Sequence, residues 1–113
     1  MGEEFSIQTY LNNAEFLQLT AKQIERDFSF YDVQLILQAD TYDGLYQQLL
    51  PSVKQVSKSN STKLHQLLYR IDISEIQLKN ESQKNTELRL EEIITQLIIK
   101  RCLQKVVLKK LFS

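Results

Sequence analysis

Glycine and proline are nearly missing from this 113-residue chain, whose whole supply is Gly2, Gly44 and Pro51. Sandwiches and barrels with many tight turns need these residues, so their scarcity argues for long helices. It also excludes a glycine-rich phosphate loop. One cysteine, Cys102, leaves no intrachain disulfide and fits a reducing compartment. With one histidine, His65, the chain offers no metal-ligand spacing, and neither a metal nor a cofactor is expected. Long apolar runs are missing too. The best stretch, residues 93–99, is broken by Thr95 and Gln96 and is too short to span a bilayer. Glu3 and Glu4 stand where a signal peptide would be basic and then apolar. The expectation is a soluble, cytoplasmic protein with one helical domain over residues 1–113.

What is present fits that frame. Hydrophobic residues make up 42% and charged residues 25%, the balance of a globular domain. A chain of this length buries about two-thirds of its unfolded surface, enough for one core without staples. The formal net charge is zero, yet residues 1–50 hold eight acids and two bases, while residues 51–113 hold six acids and twelve bases. The plainer reading is that the halves complement each other across the fold. The sharper one is head-to-tail self-association, or a basic face for an anionic partner. Asymmetry alone favours the plainer reading.

Hydrophobic spacing outlines about five helices. Tyr10, Ala14, Leu17, Ala21, Ile24 and Phe28 alternate by four and three, one stripe along a first helix. Ser6 is its expected N-cap, with Phe5 and Tyr10 as a staple. Asp40, Asp43 and Gly44 mark the next start, followed by Leu45, Leu49, Val53 and Val56. Pro51 should kink that helix or open a new one. Residues 57–62 (SKSNST) read as an interhelical loop. Leu64, Leu67, Leu68 and Ile71 form a third stripe. Ser74 with Gln77 fits a capping box, and Ile73 with Leu78 a staple, so a short helix follows. Residues 79–85 are polar and read as loop or fraying helix. The last helix begins between Thr86 and Leu90 and runs to about Leu111, acids first and bases last, as the helix dipole favours. Its apolar residues cover most of its circumference, the pattern of a central helix or of one that also makes an intermolecular contact.

Between the first two helices the pattern changes. Val33, Leu35 and Leu37 alternate with Gln34 and Gln38, and the segment near residues 30–39 reads as irregular or extended, with Ile36 an exception. A lone strand leaves backbone groups unpaired. Three outcomes remain open here: helix, a loop over the bundle, or pairing with its copy in a second chain.

Chemistry-bearing residues do not cluster. Cys102 and His65 could meet as nucleophile and base, but no third orienting group is visible, and a buried packing cysteine beside a surface histidine explains both better. Asp40 with Asp43 and Glu91 with Glu92 fall at helix starts, where acids serve as caps. No catalytic residue is assigned, and no enzyme is expected. Half of the ten aromatics fall within residues 28–46. Tyr and Phe at that density suit a protein interface, and the candidate interface is Phe30, Tyr31, Val33, Leu35, Tyr42 and Tyr46. Arg101, Lys105 and Lys109 share a helix face, and no acid follows Glu92. With Lys110 they form a candidate anion-binding stripe, able to neutralise phosphates or lie on an anionic membrane. A sequence pI of about 6.6 and aliphatic neighbours argue against nucleic acid.

Residues 67–74 (LLYRIDIS) and 97–106 (LIIKRCLQKV) resemble runs in short, uncharacterised all-helical proteins of bacteria with no established function. The resemblance covers the last half of the chain and implies a helical bacterial cytoplasmic protein without implying an activity. The expected function is a non-enzymatic interaction or structural module whose partner is a protein or a second copy, as a homodimer. The alternative is a nucleic-acid-binding protein that uses the basic last helix.

Overall fold

The computed structural model describes residues 7–112, and of Ile7 only the backbone. A 3₁₀ turn, Ile7–Tyr10, precedes five helices: α1 (Ala14–Ser29), α2 (Tyr42–Ser59), α3 (Ser61–Ile71), α4 (Glu75–Lys84) and α5 (Leu90–Phe112). No strand occurs among the described residues. The bundle is therefore all-α, as the spacing predicts.

The core is built around α5, which packs on α1, α2, α3, α4 and the 3₁₀ turn. Ile93, Ile94, Leu97, Ile98, Ile99, Cys102, Leu103, Val106 and Val107 are all buried on it. They lie around the whole helix and not along one stripe, and several neighbours are needed to cover them. Leu17, Ala21, Ile24 and Phe28 of α1 and Leu45, Leu49, Val53 and Val56 of α2 supply the facing stripes. Leu64, Leu67, Leu68 and Ile71 of α3 complete the enclosure.

Several local expectations need correction. The expected first cap and staple, Ser6 with Phe5, lie outside the described residues. The α-helix starts later than the stripe suggests, because Asn13 caps it by accepting the Phe16 N–H at 3.1 Å. Tyr10 instead stacks on Phe16, with ring centroids 4.9 Å apart. At α2 the cap is Thr41, whose Oγ1 accepts from the Gly44 N–H at 3.0 Å. Gly44 is required by close approach: a Cβ there would stand 2.7 Å from the Ala39 Cβ. Pro51 does not open a new helix, since α2 is one element through it. The N–H it lacks would have served Gln47. Both residues are exposed, on the side where water can replace that donor.

The expected loop at residues 57–62 shrinks to one residue. Asn60 ends α2 by donating its N–H to the Val56 carbonyl at 2.9 Å. Its side chain then starts α3 by accepting from the Lys63 N–H at 3.0 Å. Residues 79–84 continue α4 and do not form a loop.

With glycine so scarce, aspartate closes two helices. Asp32 (φ 64°) and Asp72 (φ 76°) occupy the left-handed region, which Asp tolerates better than most residues. After α1, Val33 N–H reaches the Phe28 carbonyl and Asp32 N–H the Ser29 carbonyl, both at 3.0 Å. After α3, Ile73 N–H reaches Leu68 at 2.9 Å and Asp72 N–H reaches Tyr69 at 3.1 Å. Both are Schellman closures, each with apolar residues at the positions that accompany the motif.

Residues 33–40 run as an extended strap over the bundle without pairing as a strand. Leu37 is buried, Val33, Leu35 and Ala39 are half-buried, and Ile36 is 79% exposed. Two of its amides are held by side chains. Leu37 N–H donates to Glu25 Oε2 at 2.7 Å and Gln38 N–H to Gln48 Oε1 at 2.9 Å. Within one chain the segment is a loop over the bundle and not a helix.

Candidate functional site

The surface around the closures of α1 and α3 combines aromatic, cationic and apolar groups. Phe30 and Tyr31 follow α1 directly, with rings edge to face at 5.1 Å. Phe30 is 62% exposed, and the Arg70 guanidinium lies 3.9 Å above its ring. Arg70 is fixed there because its Nε donates to Asp27 Oδ1 at 3.1 Å. Asp27 is buried on α1 and also accepts from Gln23 Nε2 at 3.2 Å. A carboxylate so enclosed needs those donors, and the guanidinium it holds becomes a rigid platform for the exposed ring.

Beside this patch a groove of about 540 Å³ opens between α3 and α4. It is lined by buried Leu68 and Ile73, by half-buried Leu78 and Tyr31, and by exposed Tyr69, His65, Glu75, Thr62, Gln66 and Ser74. Its size falls within the range of binding clefts. Glu75 is the one acid lining it, and no lysine or arginine does. The groove exists because α4 is short and buries no residue. Its N-cap, Ser74, accepts from the Gln77 N–H at 3.0 Å, and Leu78 is the apolar residue it packs, half-buried, against the core.

The sequence-derived candidates do not gather into one exposed face. Phe30 and Tyr31 belong to the patch and groove. Val33 and Leu35 belong to the strap and sit half-buried against the core, and Tyr42 and Tyr46 pack against the core from α2. Burial, and then Tyr46 beside it, pushes the Tyr42 hydroxyl up to about 12, while burial and Glu92 raise Tyr46. Tyr69, which is 86% exposed, Arg70 and Ile76 were missed. The signal for Tyr69 was available: a large aromatic off the apolar stripe of α3.

The basic stripe is partly occupied. Arg101 donates to Asp72 at 2.8 Å and to Gln104 at 2.7 Å. Lys110 lies 3.8 Å from Glu15. Lys105 and Lys109 make no ion pair among the described residues. Arg70–Asp27 and Lys110–Glu15 both join the basic half to the acidic half, as the plainer charge reading expects.

Cys102 is buried, its Sγ 4.0 Å from Asp27, whereas His65 is exposed on the groove rim. Burial, reinforced by Asp27 and opposed by Lys105 and Arg101, pushes the thiol up to about 12. It stays protonated at neutral pH, the opposite of an activated nucleophile. Among the described residues no three of His, Cys, Asp or Glu gather as a metal cluster, and no helix is long and apolar enough to cross a membrane. The chain shows no significant match to a known family model, a curated protein or a solved structure.

Proposed function

We propose that this protein is a non-enzymatic interaction module and that it associates with itself. The observation that carries the reading is the rigid Phe30–Arg70–Tyr31 patch beside an open apolar groove. Tyr, Phe and Arg are the residue types enriched at protein interfaces. Tyr and Arg also head the list of side chains that dominate binding energy. The groove supplies the concavity that such anchors need. Exposed Tyr69 and Ile76, 86% and 72% accessible, extend the same surface across α3 and α4.

Analytical ultracentrifugation tests the reading directly. Species heavier than the 13.3 kDa chain should appear as concentration rises. Phe30→Ala and Tyr69→Ala should weaken association without lowering the melting temperature by more than a few degrees, because both rings are largely exposed. A strict monomer at high micromolar concentration would remove self-association.

A further inference from the structure

We propose that the copies associate head to tail, the C-terminal end of α5 in one copy seating in the α3–α4 groove of the next. The proposal rests on the self-association reading and specifies its partner surface. At the end of α5, Leu108, Leu111 and Phe112 are 38%, 51% and 77% exposed. Their spacing of three and four places them on one helical face, the pattern with which a helix anchors in a groove. Lys105 and Lys109, four apart, flank that face and make no ion pair within the described chain.

The groove complements this end in both shape and charge. Leu68, Ile73 and Leu78 make its lining aliphatic between Tyr31 and Tyr69, and its one acid, Glu75, is joined by His65 but by no lysine or arginine. Glu75 makes no ion pair among the described residues. An apolar face flanked by lysines therefore meets an apolar cleft rimmed by a carboxylate.

One chain cannot satisfy itself in this way. Lys110 lies beside Glu15, in the first turn of α1, whereas Tyr31 lies just past the last residue of α1. The sixteen residues of α1 span about 24 Å of helix, so the two surfaces sit at opposite ends of the molecule. A contact between two different patches is heterologous and propagates into rings or filaments unless blocked.

Two variants separate this geometry from every other mode of self-association. Leu111→Ser with Phe112→Ser disables the helix end and leaves the groove intact. Glu75→Lys with Tyr69→Ala disables the groove and leaves the helix end intact. All four positions are exposed, and thermal melts followed by circular dichroism confirm that both variants fold. In sedimentation velocity the wild type should form dimers and longer species, and each variant alone should associate at least tenfold more weakly. An equimolar mixture should form a one-to-one heterodimer that grows no further, since each variant keeps one working half. If the wild type associates but the mixture stays monomeric, the head-to-tail geometry is wrong while self-association stands. If either variant alone associates like the wild type, the surfaces are wrong. A wild type that stays monomeric overturns both readings.

Discussion

Helices α4 and α5 lie side by side yet depend on different physics. α5 buries ten residues over its 23, and α4 buries none over its ten. A helix of ten residues is unstable alone in water, so α4 persists through its cap, the packing of Leu78 and its support on α5. α5 is held by every other helix. The difference teaches where function can reside: the core helix is committed on nearly all sides, while the peripheral one leaves a groove open along its edge.

Substitutions and pH should act more strongly on α5 than on α4. Leu103→Ala on α5 removes a side chain with no exposure and should cost about 2–5 kcal/mol, read from the urea midpoint. Alkaline pH should act on the same helix. The Cys102 thiol keeps its proton in the fold up to about 12, while the unfolded chain releases it near 9.0. The stability this confers is complete below pH 9 and is lost as the pH climbs toward 12. Tyr42, raised from 10.0 to about 12, adds to the same loss. Urea titrations at stepped pH should show the decline, and Cys102→Ala should lessen it, leaving the part due to Tyr42.

Smaller effects belong to α4. Ser74→Ala removes the oxygen that accepts the Gln77 N–H and should cost about 1 kcal/mol. Hydrogen exchange should show the loss as faster exchange confined to the amides of α4, with those of α5 unchanged. Equal acceleration in both helices would mean that α4 is part of the cooperative core. Gln83→Ala, on the exposed side of α4, should move the melting midpoint by no more than about 0.5 kcal/mol allows.

The residues that sequence spacing made legible are those whose partners are near in the chain. Of the expected first stripe, Leu17, Ala21, Ile24 and Phe28 are buried, while Tyr10 is half-buried and Ala14 is exposed at the start of the helix; the stripe Leu64, Leu67, Leu68 and Ile71 is buried throughout. The Ser74 cap is a local device and forms, and both residues of the expected staple, Ile73 and Leu78, join the core. Asn60 was hidden because one side chain does the work of a loop, ending one helix and starting the next. The late start of α1 was hidden because the stripe extends past the cap at Asn13.

The surface proposed for interaction was half visible. Phe30 and Tyr31 stood out as aromatics in an extended context. Arg70 did not, because its role depends on Asp27, 43 residues away in the chain. A carboxylate three residues after Ile24 falls at helical spacing with a core position and marks a buried acid, but it does not say which base answers it.

By itself the sequence determined the class of structure. Few glycines and prolines, apolar residues at helical intervals and side chains able to cap their own backbone together leave helices packed around a common core. Only the tertiary structure decided which apolar residues stay uncovered, because exposure depends on what packs opposite. Leu103 and Leu111 are the same residue on one helix, yet one has no exposure and the other is half exposed. The groove beside Tyr69 likewise arises from the meeting of α3 with a helix too short to cover it.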